Sequence, residues 1–209
     1  MATTPENELS IRRYRAHADG YDASAQFTMP LRMRTIALLA LKPGEVVIDV
    51  GAGTGLSYAP LIDAVGPTGR VLAFEQSPDM FAHAQARAAA GGWPNLWHAC
   101  ESAETVVLPQ PADAVLFNYV HDITRTPAAL ANILRFARPG ARVAVAGMKF
   151  FPWWTGPLNL LAWIKNRPYN ARPADLWSPW DRLEARCASF ERWTTQSGMG
   201  YIARGRLRA

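Results

Sequence analysis

The stretch VIDVGAGTG, Val47 to Gly55, decides the fold. An apolar, largely β-branched run ends in an acid and passes at once into three glycines separated by small residues. Such a run reads as a strand buried on both faces. Glycines packed this densely after a strand let the backbone come close to a ligand. Three adenosine-containing ligand classes compete for such a turn. A phosphate-cradling loop carries Lys and then Ser or Thr after its glycines, but Gly55 is followed by Leu56, Ser57 and Tyr58, so a nucleoside triphosphate loop is excluded. A dinucleotide fingerprint reads G-x-G-x-x-G. Here the pattern is G-x-G-x-G, with Leu56 where the third glycine belongs.

Outward from this turn, strand-like and helix-like runs alternate. Glu45 to Val50 is the first expected strand, and Leu56 to Val65 the helix after it, closed by Gly66-Pro67-Thr68-Gly69. Arg70 to Glu75 is the second strand. Ser77-Pro78-Asp79 then opens a helix: a capping hydroxyl, a proline suited to the first helical position and an acid matched to the helix dipole. That helix is expected to stop at Gly91-Gly92. Asn95 to Ala99 and Ala114 to Tyr119 read as strands three and four, Pro127 to Ala137 as a helix, and Arg142 to Gly147 as strand five. Phe190 to Thr195 and Gly200 to Arg206, joined by Gln196-Ser197-Gly198, read as a hairpin. The alternation predicts a doubly wound, Rossmann-like α/β fold with a mostly parallel sheet and an antiparallel C-terminal edge. Its ligand belongs across the carboxyl ends of the strands.

Composition narrows the function classes. The chain has 209 residues, 49% of them apolar, and two cysteines, Cys100 and Cys187. The cysteines have no metal-ligand spacing and provide no disulfide framework, and His17, His83, His98 and His121 add no metal spacing, so metal-free chemistry is expected. No apolar run reaches the roughly 18 residues of a spanning helix. The N-terminus lacks a secretory pattern, and cytoplasmic residence is the simplest reading. The net charge is +5. Its arginines are dispersed, with small clusters only near the two ends, which reads as a solvated surface rather than a nucleic-acid footprint. A single domain over residues 1–209 is expected.

Beyond the glycines, acids and amides mark the rim of one adenosine-sized crevice. Asp49 lies two residues before Gly51, and Glu75 ends strand two about 20 residues beyond Gly55, where a carboxylate accepts both hydroxyls of a ribose. Glu101-Ser102-Ala103-Glu104 follows strand three, and Asn118 closes strand four. With these in place the sequence resembles the class I S-adenosylmethionine-dependent methyltransferases over roughly Tyr14 to Arg206. VIDVGAGTG resembles the family's first motif, AFEQSPDM its second-strand acid and helix start, ESAE its adenine-binding turn, and RPGARVAVAG its fifth strand. The segment RYRAHADGYDAS resembles the N-terminus of a small-molecule branch that includes ubiquinone and menaquinone methyltransferases.

The resemblance implies a seven-stranded sheet, S-adenosyl-L-methionine as cofactor, and a helical lid over residues 1–40. By position, Gly51, Ala52 and Gly53 would pack against the methionine part, and Gly55 would let the next helix approach the sheet. Glu75 would hold the ribose, with Gln76 and Met80 beside the adenine. Ser102 departs from the Asp common at its place and offers a weaker, uncharged hydrogen bond, while Ala103 offers its backbone N–H. Asp49 would orient the glycine turn, Asn118 would lie near the methionine end, and Tyr21 would close over the cofactor.

The methyl acceptor is less constrained. A general base is needed only when the nucleophile carries a proton at neutral pH, and His121, in NYVHD after strand four, is the expected base. Tyr14 and Lys149 are further pocket candidates. Residues 148–185 form a substrate-side insertion rich in large aromatics, with Trp153 and Trp154 as expected pocket walls. This favours a small hydrophobic or aromatic acceptor. The same tryptophans, flanked by Lys149, Lys165 and Arg167, also suit contact with a membrane surface and a lipid-like acceptor. The Pro-Pro-aromatic signature of exocyclic amine methylation is absent after strand four, where the sequence reads Asn118-Tyr119-Val120-His121. A nucleic-acid acceptor is therefore disfavoured. A nicotinamide-dependent oxidoreductase and a non-catalytic cofactor-binding protein remain as other classes.

Overall fold

A computed structural model of the chain describes residues 28–166 and 176–209. Tyr14 and Tyr21 lie outside the described residues. Helix α1 (Met29–Leu38) precedes β1 (Val46–Val50), α2 (Tyr58–Val65), β2 (Arg70–Glu75), α3 (Pro78–Gly91) and β3 (Leu96–Cys100). Then come β4 (Ala112–Asn118), α4 (His121–Arg125), α5 (Pro127–Leu134) and β5 (Ala137–Met148). A 3-10 turn (Trp153–Thr155), α6 (Pro157–Asn166), α7 (Asp181–Glu184), β6 (Cys187–Thr195) and β7 (Gly200–Leu207) complete the described elements.

The strands form one seven-stranded sheet in the order β3-β2-β1-β4-β5-β7-β6. β1 to β5 pair in parallel, whereas β7 runs antiparallel to both β5 and β6. The doubly wound sheet and the terminal hairpin are as the sequence predicts. The strand order reverses between β1 and β4, the switch point at which a crevice opens beyond the carboxyl ends.

The period-two alternation of each strand builds a core on both faces. Val46, Ile48 and Val50 join Leu72, Phe74, Val115, Phe117, Val143 and Val145 on one face, packed by Leu130 and Ile133 of α5. On the other face Val47, Val71, Leu116 and Ala144 meet Ile36 of α1, Leu39 just after it, and Leu61, Ile62 and Val65 of α2. The described part of the N-terminal region thus packs against the sheet.

Some boundaries differ from the sequence expectation. α2 begins at Tyr58 rather than Leu56, because the glycine turn continues through Ser57, whose hydroxyl accepts a hydrogen bond from the buried Arg32 at 3.1 Å. α5 stops at Leu134, and β5 starts at Ala137 rather than Arg142. Ala112 pairs with Ala137 and Ala114 with Arg142, so Pro139 and Gly140 sit in an irregularity of the strand. Gly140, at φ 73°, takes the positive dihedral that such a bulge demands.

Candidate functional site

The cleft opens at the switch point, beyond the ends of β1, β2 and β4, and encloses about 500 Å³ including its open mouth. Gly51 and Gly53 come from the turn after β1, and Phe74, Glu75 and Gln76 from the end of β2. Met80 of α3, Ala103 after β3, and Asn118, Tyr119, Val120, Asp122 and Ile123 around the end of β4 close it.

The glycine turn is required locally. Gly51 has φ 59°, and a β-carbon there would lie 2.7 Å from Val120 Cγ1. Gly55, at φ 79°, packs against the Tyr58 ring, which an added β-carbon would meet at 2.7 Å; it does not line the cleft. Ala52 is buried, and its N–H donates to the Phe74 carbonyl at 2.9 Å, tying the turn to β2.

Glu75 is buried at the centre of the cleft wall. Its carboxylate accepts the Gly53 N–H at 3.0 Å and the Ser77 N–H at 2.8 Å, so one side chain fixes both the glycine turn and the start of α3. Burial pushes this carboxyl up to about 7 from its ordinary 4.5, against the pull of the backbone N–H donors, and the charge of Asp122 adds to the rise. Asp49 is buried too, and burial likewise pushes it to about 7, with the Arg32 charge opposing and the Glu75 charge adding. One carboxylate oxygen of Asp49 has no hydrogen-bond partner among the described residues.

Asn118 is 5% exposed and lines the cleft, yet among the described residues neither its amide nitrogen nor its amide oxygen has a hydrogen-bond partner. A buried unpaired amide is costly and calls for a ligand that both accepts and donates. An amino-acid end, with its carboxylate and ammonium, does both. Phe74, Met80, Val120 and Ile123 provide apolar walls. Ala103 lies in a turn held by Asn132, whose amide donates to the Ala103 and Val106 carbonyls at 2.9 and 3.0 Å. These donors, acceptors and walls fit S-adenosyl-L-methionine.

The structure thus brings Gly51, Gly53, Glu75, Gln76, Met80, Ala103 and Asn118 together, and it sets other expected residues apart. Ser102 pairs its hydroxyl with Thr105 Oγ1 at 3.0 Å and does not line the cleft. Trp153 and Trp154 stand in solvent, 77% and 70% exposed, and Lys149 is half-buried after β5; none of the three lines the cleft. His121 opens α4 as a buried residue, and neither ring nitrogen has a hydrogen-bond partner among the described residues. It is not among the lining residues, whereas its neighbour Asp122 is.

Sequence reasoning missed Phe74, Val120 and Ile123 as lining residues. The only available signal was their adjacency to Glu75 and to the end of β4. Tyr119 carries a further signal visible only in three dimensions: φ 60°, an uncommon dihedral for a bulky residue.

A sheet of this order, with a glycine turn after β1 and an acid ending β2 at a shared cleft, defines the fold of the class I methyltransferases. Comparison with known proteins agrees in fold, and residues 47–140 match the model of a family described as a methyltransferase domain. The chain is 30% identical over 161 residues to a ubiquinone/menaquinone biosynthesis C-methyltransferase from Burkholderia mallei, covering 73% of this chain and 65% of that protein. It is 30% identical over 135 residues to a protein-L-isoaspartate O-methyltransferase from Aeropyrum pernix, covering 65% of this chain. The chain spans about half, 48%, of that relative's length. A crystal structure of an S-adenosylmethionine-dependent methyltransferase from Aquifex aeolicus superposes with a TM-score of 0.61 at 20% identity, covering 83% of this chain and 88% of that one. That likeness is one of fold.

Proposed function

We propose that this protein, acting as one domain, transfers the methyl group of S-adenosyl-L-methionine to a small hydrophobic or aromatic organic acceptor. The observation that carries the reading is the unpaired, buried amide of Asn118 in the same cleft as Gly51, Gly53 and Glu75. When bound, the cofactor would supply an electrophilic sulfonium methyl, to which an in-line acceptor lone pair bonds as the neutral thioether leaves with the methyl–sulfur electron pair.

The chain's own residues bind, align and exclude water. Glu75 accepts the ribose hydroxyls. Asn118 and the Gly51–Gly53 turn hold the methionine end, and Met80, Gln76 and Ala103 border the adenine. Val120 and Ile123 keep the turn dry. For an acceptor bearing a phenol or enol proton, His121 is the candidate base. It is buried one residue from Asp122, which lines the cleft, and a small shift of the start of α4 would be needed to present its ring there.

The ion-paired surface arginines favour a small acceptor over a nucleic acid. Arg192 pairs with Glu184 at 2.9 Å and Arg204 with Glu191 at 3.0 Å, while Arg138 and Arg142 pair with Asp113 and Glu45. The two cysteines, Cys100 and Cys187, are free thiols, in accord with a reducing cytoplasmic setting. Calorimetric titration with S-adenosyl-L-methionine, S-adenosylhomocysteine and NAD tests the cofactor. Binding of the first two with NAD silent supports the reading, and binding of NAD alone refutes it.

A further inference from the structure

The segment after β5 turns its apolar side chains toward water. Besides Trp153 and Trp154, the side chains of Leu158, Leu160, Leu161 and Ile164 are exposed. On α6, at about 100° per residue, Leu160, Ile164, Pro157, Leu161 and Leu158 fall within a single arc of about 160°. Outside that arc the side chains of α6 that are buried or hydrogen-bonded inward, Ala162 and Asn159, are small or polar, and Trp163 is 37% exposed. Ala162 is buried with Phe150 and Leu176, and the Asn159 amide donates to the Phe151 and Pro152 carbonyls at 3.2 and 3.4 Å. The protein therefore grips the small and polar side and presents the large apolar side, the reverse of an ordinary surface helix. An exposed apolar patch of this continuity marks an interaction surface.

We infer that this face docks on an anionic lipid bilayer. The chain carries a net charge of +5, and in the sequence Lys149, Lys165 and Arg167 bracket the apolar segment. Tryptophans beside an aliphatic face suit the boundary between headgroups and acyl chains. A second copy of the chain would instead bring the same positive charge to the contact, which opposes self-association. The location gives docking a purpose. The cluster of Phe150, Ala162 and Leu176, with Met148 and Met199 packed against it, anchors α6 at the carboxyl end of β5. β5 runs parallel to β4, so that end lies on the sheet edge where the cleft opens. Docking there sets the cleft's edge at a lipid surface, from which an apolar acceptor can enter. The inference stands apart from the methyl-transfer reading, because its test needs neither cofactor nor acceptor.

The test is flotation of the full chain with vesicles of phosphatidylcholine alone and of phosphatidylcholine mixed with phosphatidylglycerol. Wild type is compared with a variant carrying Trp153→Ser, Trp154→Ser, Leu161→Ser and Ile164→Ser. These side chains are exposed, so the fold is expected to survive, as circular dichroism and an unchanged thermal unfolding midpoint would show. The expected result is binding to the anionic vesicles that weakens with added salt and falls at least about tenfold in the variant. No vesicle binding, or equal binding by wild type and variant, overturns the inference. Equal affinity for neutral and anionic vesicles overturns the anionic surface. A concentration-dependent dimer that disappears in the variant, with no vesicle binding, assigns the face to a second copy and overturns it as well.

Discussion

Replacing Glu75 by Ala removes an acceptor from the cleft and a brace from the glycine turn at once. The Glu75 carboxylate holds the N–H groups of Gly53 and Ser77 at 3.0 and 2.8 Å. If it also accepts two ribose hydroxyls, each charge-assisted bond is worth about 1.5–3 kcal/mol. The variant should then bind S-adenosyl-L-methionine about 10²- to 10⁴-fold more weakly. The wild type should show a pH signature of the same group. Burial holds this carboxyl at about 7, and its protonated form loses acceptor capacity. Affinity is therefore expected to fall as pH drops through about 7, approaching a decade per pH unit. The effect on folding has the opposite sign. The folded value lies above the ordinary 4.5, so this group's contribution to stability is full below about 4.5 and is lost as pH rises through about 7. Weaker binding on acidification thus cannot be ascribed to Glu75 loosening the fold. Calorimetry across this range, on wild type and Glu75→Ala, makes the measurement; the variant should keep only the share of the slope due to Asp49, which also sits near 7. Binding by the variant within about threefold of wild type, or a wild-type affinity that does not move with pH, refutes the ribose role.

Gly51→Ala should cost about 1–3 kcal/mol in urea unfolding and weaken cofactor binding, because the new methyl meets Val120 Cγ1 at 2.7 Å on a backbone at φ 59°; wild-type stability would contradict the packing described. Asn118→Leu should raise stability by about 1–3 kcal/mol by removing an unpaired buried amide while lowering cofactor affinity, and an unchanged affinity would take Asn118 out of the binding site. His121→Ala should leave cofactor affinity within about twofold of wild type and, once an acceptor is known, slow transfer by about 10²-fold or more. Full activity would remove His121 as a base.

The fold was legible because its signals are local and repeated. β1 and β2 follow from β-branched runs closed by an acid, and α3 from Ser77-Pro78 at one end and Gly92 at the other, where φ is 61°. Legibility failed where a long-range contact outweighs local chemistry. Pro139-Gly140 reads as a stop between helix and strand, yet the pairing of Ala112 with Ala137 draws both residues into β5. The site divides in the same way. Glu75, Gly51, Gly53 and Asn118 were readable from strand ends, because a parallel sheet delivers every strand end to one edge. Val120 and Ile123 were not, since their place on the cleft depends on how α4 packs against the glycine turn. Trp153 and Trp154 show the limit of composition: aromatic content cannot tell a pocket wall from an outward face.

The distribution of buried polar groups explains why that one edge of the sheet is available for chemistry. Val47, Ile48 and Val50 of β1 and Val115 to Phe117 of β4 are wholly buried hydrocarbon. The strand ends hold Asp49, Glu75 and Asn118, and behind them lie the unpaired Tyr58 hydroxyl and Arg32 Nε. Each unpaired buried group costs about 1–3 kcal/mol, so the burial of Asn118 and Asp49 near the switch point is unfavourable in itself. Of the strand-end groups, Glu75 and Asn118 line the cleft. A ligand that pairs the Asn118 amide recovers part of that cost, and its binding to the folded state alone adds about 2.7 kcal/mol of stability at a hundredfold excess over Kd. The cofactor that this cleft fits would therefore complete the core, pairing an amide that no group among the described residues satisfies.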